Sequence, residues 1–142
     1  MKGTCLRFDF RAGGIALARW VLGLMFLCSG IGKLNALGGF VNGYLVPAFE
    51  KTFLPGWMIS SYGYALPFVE TLLGAALILG LCRNAALLLS GLTFISLAFG
   101  KMLLQDHSGV FPIMFYVAMT GAVLFHGEHD RWVISGKGSS RP

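Results

Sequence analysis

Four long apolar stretches alternate with short stretches that are polar or rich in glycine and proline. The apolar stretches cover residues 14–34, 62–81, 85–104 and 110–126. A helix needs about 20 apolar residues to cross the roughly 30 Å hydrocarbon core of a bilayer, and each stretch is close to that length. The pattern therefore predicts an all-α fold, namely an integral membrane four-helix bundle.

The stretch 35–61, between the first two spans, breaks this pattern. Pro47, Pro55 and several glycines argue against a continuous helix there. Aromatic residues recur along it, at Phe40, Tyr44, Phe49, Phe53 and Trp57. The sequence predicts a short interfacial helix or loop, with the aromatic residues forming an interface belt rather than a platform for a substrate.

The composition supports the membrane class. Hydrophobic residues make up 56% of the chain and charged residues 12%, with a mean hydropathy of +0.72, whereas soluble domains carry about 25% charged residues. The net charge of +5 does not indicate a nucleic-acid partner, because the basic residues lie between apolar stretches rather than along one face. The expected surroundings are a lipid bilayer.

Basic residues between the spans predict an orientation. If four spans cross the membrane, both termini lie on one side, which then collects Lys2, Arg7, Arg11, Arg83, Arg131, Lys137 and Arg141. The opposite side holds Lys51, with Lys33 and Lys101 near its boundary. The positive-inside rule then places both termini in the cytoplasm, in a bacterial inner membrane.

This topology divides the chain into a cytoplasmic lead-in (1–13), a transmembrane domain (14–126) and a polar cytoplasmic tail (127–142). The first span lacks the small-x-small pattern of a cleavage site, so we interpret it as a retained helix rather than a signal peptide.

A single carboxylate, Glu70, lies inside the second span. An ionised side chain at the centre of a membrane helix costs about 3 kcal/mol or more, so it should face the bundle interior and find a partner. Lys33 and Lys101, near the outer ends of the first and third spans, are the candidate partners, and Arg19 is a more distant one. Each lysine side chain can instead extend to lipid headgroups. In the same way, the Arg19 side chain can extend to phosphates at the cytoplasmic surface, which explains its position near that end of the first span.

More polar side chains are expected in the same outer region. The candidate site, a ligand-binding pocket or a buried ion pair, comprises Glu70, Lys33, Lys101, His107, Asp106 and Tyr62. Two interpretations remain open: a structural ion pair that locks the bundle, or a functional site for a proton or ligand.

The sequence indicates neither a metal site nor an intrinsic cofactor. Cys5, Cys28 and Cys82 have no CxxC spacing, which predicts small, buried and inert thiols rather than a disulfide framework. The stretch HGEHD at 126–130 is better explained as polarity at a helix end than as metal ligands. No flavin, haem or iron–sulfur motif stands out.

Three stretches resemble the DoxX-like family of small membrane proteins: RWVLGLMFLCSGIGKL (19–34), ETLLGAALILGLCR (70–83) and GEHDRWVIS (127–135). The resemblance spans residues 15–135. The residues that match the family's pattern in the first two helices are Arg19, Phe26, Gly30, Lys33, Leu34, Glu70, Gly74, Gly80 and Arg83. The tail departs from it, because HGEHDRW replaces the glycine-proline-glycine turn common in relatives.

This resemblance implies a four-helix membrane bundle and an association with redox proteins, since some members are subunits of thiosulfate:quinone oxidoreductases and others accompany oxidative-stress proteins. We therefore expect a membrane subunit whose outer-leaflet pocket binds a quinone headgroup or a small anion, with redox cofactors supplied by a partner. The alternative is a structural or assembly subunit that packs against a larger membrane complex. Expected protein partners are other membrane subunits or a second copy; whether the chain is an enzyme stays open, because it contains no self-contained catalytic motif.

Overall fold

The computed structural model describes residues 10–127, which fold into helices joined by short turns, with no strand among them. The elements are α1 (Phe10–Asn35), a π-helix (Gly39–Leu45), α2 (Val46–Phe49), α3 (Gly56–Leu79), α4 (Arg83–Leu103) and α5 (His107–Phe125). The all-α prediction is confirmed. Most of the predicted lead-in and tail, with Cys5 and the Glu128, His129 and Asp130 part of HGEHD, lies outside the described residues.

Helices α1, α3, α4 and α5 are each long and apolar enough to cross a membrane, so the protein is an integral membrane four-helix bundle. Three of them begin and end within four residues of the predicted spans. The exception is α3, which begins at Gly56 rather than near Tyr62. It starts directly after Pro55, whose backbone is extended (φ −68°, ψ 138°), a conformation that ends any helical path before it, and proline is well tolerated at a helix start because the N–H that it lacks is not needed there.

The connecting segment, defined as residues 39–49, is a short helical stretch, which is one of the two forms that the sequence predicted. The π-helix runs directly into α2, and Pro47 lies in the first turn of α2. Proline is tolerated there because its missing N–H is one that the first turn can do without. The helical path is interrupted only after Phe49. Val41 and Leu45 are buried against Gly63 of α3, where an added Cβ would lie 2.6 Å from Leu45 Cδ2.

The closest approach in the bundle is between α1 and α3, and glycine makes it possible. A Cβ added at Gly30 would lie 2.7 Å from the backbone nitrogen of Thr71, and one at Gly74 would lie 2.5 Å from that of Leu27. The two helix backbones are therefore in direct contact. In a bilayer, where lipid is as apolar as leucine, such close backbone packing is a main source of helix association.

The four long helices pack as two pairs, α1 with α3 and α4 with α5, and smaller contacts between α3 and α4 and between α1 and α5 close the bundle. Between the pairs, the Phe26 ring lies 4.6 Å from that of Phe94, which lies 5.6 Å from that of Tyr116 (centroid distances). This aromatic stack fills the centre of the bundle. The smaller contact between α3 and α4 leaves room for the cavities described below.

The orientation of the bundle remains a prediction. Reporter fusions at Gly138 and at Gly39 should locate on opposite sides of the membrane, with Gly138 on the cytoplasmic side, because the basic residues concentrate on that side. Paired alkaline phosphatase and green fluorescent protein fusions at each position measure this directly. Two fusions reporting the same side would contradict the topology.

Candidate functional site

The structure pairs Glu70 with Lys33. Lys33 Nζ donates to both carboxylate oxygens of Glu70, at 2.7 Å (Oε1) and 2.6 Å (Oε2), and to Ser29 Oγ at 2.9 Å. The Ser29 hydroxyl donates to Glu70 Oε2 at 3.2 Å. The Glu70 side chain is only 2% exposed and that of Lys33 is 22% exposed. The result is a compact ion pair between a buried carboxylate and a partly exposed ammonium, with a hydroxyl bridging the two.

The positions of these residues along α1 and α3 explain how the ion pair forms. Ser29 precedes Lys33 by four residues, so both lie on one face of α1. Glu70 lies fourteen residues after Gly56, roughly 21 Å along α3 and near its middle. This is deeper than the sequence predicted, because α3 begins earlier. α3 passes through Pro67 without ending, and the Thr71 hydroxyl donates to the Pro67 carbonyl at 2.8 Å.

Lys101, the other candidate partner, pairs with Asp106 instead. Its Nζ lies 2.8 Å from Asp106 Oδ2. Asp106 also caps α5, because its Oδ1 accepts from the Gly109 backbone N–H at 3.0 Å and from the Ser108 hydroxyl at 2.8 Å. These bonds, the one from Lys101 first, lower the pKa of the Asp106 carboxyl to about 2. The stabilisation is therefore present above the usual pKa of 3.8 and is lost as pH falls through about 2.

A pair of hydroxyls links α3 to α4. Tyr62 Oη lies 2.7 Å from Ser96 Oγ, and Ser96 Oγ donates to the Thr93 carbonyl at 2.8 Å. Since the Ser96 proton is used in that bond, the Tyr62 hydroxyl is the donor to Ser96. The phenol oxygen keeps a lone pair with which it can accept a further hydrogen bond.

A cavity of about 270 Å³ brings several of these residues together. Its polar lining comes from Lys33, Lys101, Tyr44, Tyr62 and Ser96, and the rest of the wall is apolar: Phe40, Leu45, Phe49, Leu66, Leu97, Gly100, Leu104 and Ile113. We call it the headgroup cavity. Its polar side chains come from α1, α3, α4 and the connecting segment.

The predicted site residues differ in their relation to this cavity. Lys33, Lys101 and Tyr62 line it, whereas Glu70 lies behind Lys33 and Asp106 behind Lys101. His107 is exposed at the start of α5 and does not line the cavity.

The aromatic residues of the connecting segment correct an expectation. Phe40, Tyr44 and Phe49 form part of the cavity wall, so they are not only an interface belt. The Phe40 ring also faces Lys33, with Nζ 5.5 Å from the ring centroid, a cation–π distance. Phe53 and Trp57 are exposed, as a belt requires. The signal missed in the sequence was the four-residue spacing of Phe40 and Tyr44, which places both on one face of a helix.

The two lysines differ in the hydrogen bonds that they can still make. An ammonium group has three N–H donors, and Glu70 and Ser29 account for all three of Lys33. Asp106 takes one from Lys101 and the Tyr44 hydroxyl takes another, which leaves one donor at the cavity wall. Each ammonium is already neutralised by its own carboxylate. The cavity is therefore electrically balanced and offers one charged donor beside an accepting phenol oxygen.

Arg19 corrects another prediction. It does not extend to the membrane surface but is fully buried, and its guanidinium donates to the carbonyls of Leu77 and Ile78. These carbonyls lie at the end of α3, before Gly80 ends the helix with φ 69°. Carbonyls in the last turn have no partner within their own helix and carry the negative end of its dipole, so a buried cation is favourable there.

The cysteine prediction is wrong for Cys28 and Cys82, which are free thiols but exposed rather than buried. Position in an apolar span does not decide whether a side chain faces protein or lipid. Among residues 10–127, no cluster of three or more His, Cys, Asp or Glu is arranged to hold a metal ion. His126 Nδ1 lies 3.0 Å from the Ala122 carbonyl, a contact typical of a helix end.

Comparison with known proteins places the chain in a family. A family model described as "Methylamine utilisation protein MauE" matches residues 12–110, which include nearly all of α1 together with the connecting segment, α3 and α4. Searches of curated proteins and of solved structures gave no match. The match supports the expected small membrane-protein family but gives no support to the DoxX-like resemblance. On this match over more than two thirds of its length, the chain belongs to the MauE family of methylamine utilisation proteins.

Proposed function

We propose that this protein is an accessory membrane subunit that binds a quinone headgroup in the headgroup cavity. The observation that carries the proposal is the cavity wall itself, which is largely apolar and presents the Lys101 ammonium together with the Tyr62 and Ser96 hydroxyls. Ligand sites in proteins commonly combine such an apolar wall with a few well-placed polar groups.

Charge balance favours a neutral ring over a small anion. Both ammonium groups at the cavity already have carboxylate partners, at 2.6 Å and 2.8 Å. An anion entering an apolar cavity would lose its hydration without meeting an unpaired positive charge, which is costly. A quinone carbonyl needs only a donor, which Lys101 can supply, and a quinol hydroxyl can donate to the phenol oxygen of Tyr62.

The volume of the headgroup cavity also favours a quinone ring as the ligand. The cavity volume of about 270 Å³ lies just below the roughly 300 Å³ at which typical small-molecule pockets begin. One substituted ring fits such a volume, whereas a flavin or a haem would not. The proposed ligand is therefore a diffusible electron carrier, with any tightly bound cofactor on a partner protein.

The family name, together with this cavity, supports a proposal about the biological setting. Growth on methylamine requires its oxidation, so the electrons released need an acceptor, and a membrane quinone is a suitable one. We propose that the subunit presents quinone to a redox partner in a bacterial inner membrane, with the cavity towards the outer leaflet and both termini in the cytoplasm. Catalysis would belong to the complex rather than to this chain.

Binding of duroquinone, a quinone without a tail, tests the proposal on purified protein in lipid nanodiscs. We expect saturable binding that Lys101→Met weakens about tenfold or more, because a hydrogen bond from a charged donor contributes about 1.5–3 kcal/mol. Asp106→Asn is the matched control: it breaks the same ion pair but keeps the ammonium. Its affinity should stay within about threefold of the unsubstituted protein.

Two results would contradict the proposal. Saturable binding of sulfate or thiosulfate that is lost in Lys101→Met, with no saturable binding of duroquinone, would identify an anion site instead. Absence of quinone binding, together with a stable partner protein that copurifies in mild detergent, would favour the structural or assembly subunit. Native mass spectrometry of the same preparation distinguishes these cases and shows whether the partner is a second copy.

A further inference from the structure

We infer that the ligand of this protein carries a hydrocarbon tail, which lies in a second cavity beside the first and enters from the bilayer between α3 and α4. The inference rests on the proposed function and adds to it the class of quinone: a lipid-soluble one with an alkyl or isoprenoid chain. It also assigns a site to that chain.

The second cavity, which we call the tail cavity, has a volume of about 220 Å³. It shares part of its wall with the headgroup cavity, namely Leu45, Phe49, Tyr62, Ser96 and Gly100. The residues that it adds are Leu54, Met58, Ile59 and Phe99. The two cavities are therefore neighbours that share part of their lining.

Chemically, the tail cavity accepts hydrocarbon only. The residues that it adds to the shared wall are all apolar. The polar groups of the shared wall, the hydroxyls of Tyr62 and Ser96, are bonded to one another at 2.7 Å and mark the boundary with the headgroup cavity. A ligand that fills both cavities must therefore be polar at one end and aliphatic at the other.

The tail cavity opens towards the bilayer at the surface of the bundle. Met58 on α3 and Phe99 on α4 are exposed on the outer surface of the bundle, whereas Leu45, Phe49 and Ile59 at the back of the cavity are buried. The cavity thus leads from the lipid-facing surface inwards, along the smaller contact between α3 and α4. Gly100 lets the Phe49 ring pack directly against α4 in the wall that the two cavities share, since an added Cβ would approach that ring to 3.3 Å.

The location of the tail can be measured by photolabelling. A benzoquinone with a decyl chain that ends in a diazirine is bound to the protein in nanodiscs, irradiated, and the labelled peptides are identified by mass spectrometry. We expect labelling at Met58 and Phe99 to exceed that at Leu72 and Phe111 at least fivefold. All four side chains are exposed on membrane helices, so unspecific labelling from lipid would mark them alike.

Met58→Trp should fill the tail cavity and abolish this preference, while duroquinone affinity stays within about twofold. Leu72→Trp, on the exposed face of the same helix, is the matched control and should change neither result. Labelling that is equal at the four positions, with duroquinone still bound, would overturn the tail site and leave the quinone proposal intact. Absence of duroquinone binding would overturn both.

Discussion

Replacing Glu70 by Gln should lower the free energy of unfolding by about 3 kcal/mol. The change leaves the Lys33 ammonium without its carboxylate in a largely buried position, and breaking one side of a buried pair costs about 3–5 kcal/mol. We expect the lower end of this range, because Lys33 keeps 22% exposure and can move partly towards the outside. Denaturant titration in mixed micelles, followed by circular dichroism, measures the loss.

Removing both charges of the pair should lower the free energy of unfolding less than removing the Glu70 charge alone. In Glu70→Gln with Lys33→Met, no unpaired ammonium remains, so part of the stability should return. The double-mutant cycle then gives the coupling energy between the two side chains. The structure predicts that Lys33→Met restores part of the stability lost in Glu70→Gln, since Lys33 Nζ lies 2.6 Å from the Glu70 carboxylate.

Lys101→Met is the matched control, because Lys101 is bonded to Asp106 rather than to Glu70. It should not rescue Glu70→Gln, and its own effect should add to that of the first substitution. Rescue by Lys101→Met but not by Lys33→Met would show that the pairing is wrong. Glu70→Gln that unfolds like the unsubstituted protein would show that Glu70 is not ionised in the fold.

Gly74→Val should destabilise the bundle by a similar amount, about 3 kcal/mol or more. A Cβ at position 74 would lie 2.5 Å from Leu27 N and 2.8 Å from the Gly23 carbonyl oxygen. Both atoms belong to the backbone of α1, so no side chain can turn away and the two helices must separate. Overpacking costs about 1–3 kcal/mol even where neighbours can shift, and here the loss of close packing adds to it.

Gly121→Ala is the control, and its expected effect on the stability of the bundle has the opposite sign. Nothing lies within 4 Å of a Cβ added at this helical position. Alanine should therefore leave the fold unchanged or stabilise it by about 0.5–1 kcal/mol, the usual gain over glycine inside a helix. The same unfolding titration compares Gly74→Ala, Gly74→Val and Gly121→Ala. A series in which the two alanine variants behave alike would contradict direct backbone contact between α1 and α3.

Much of the architecture could be predicted from the order of residues along the chain. Four spans follow from hydropathy, because a bilayer imposes the same length and apolarity on every crossing helix whatever its neighbours are. Glu70 could be singled out for the same reason, since a charge inside such a span requires a partner. Both arguments depend on the solvent alone and need no knowledge of helix packing.

The tertiary structure alone decided which residues meet. Successive residues on a helix point about 100° apart, so the side that faces a neighbour depends on rotation and register, which hydropathy does not specify when protein and lipid are equally apolar. Glycine contacts between α1 and α3 set that register here, which brings Lys33 to Glu70 and Arg19 to the end of α3. With α1 and α3 so aligned, Lys101 remains with Asp106, and the connecting segment covers the cavity.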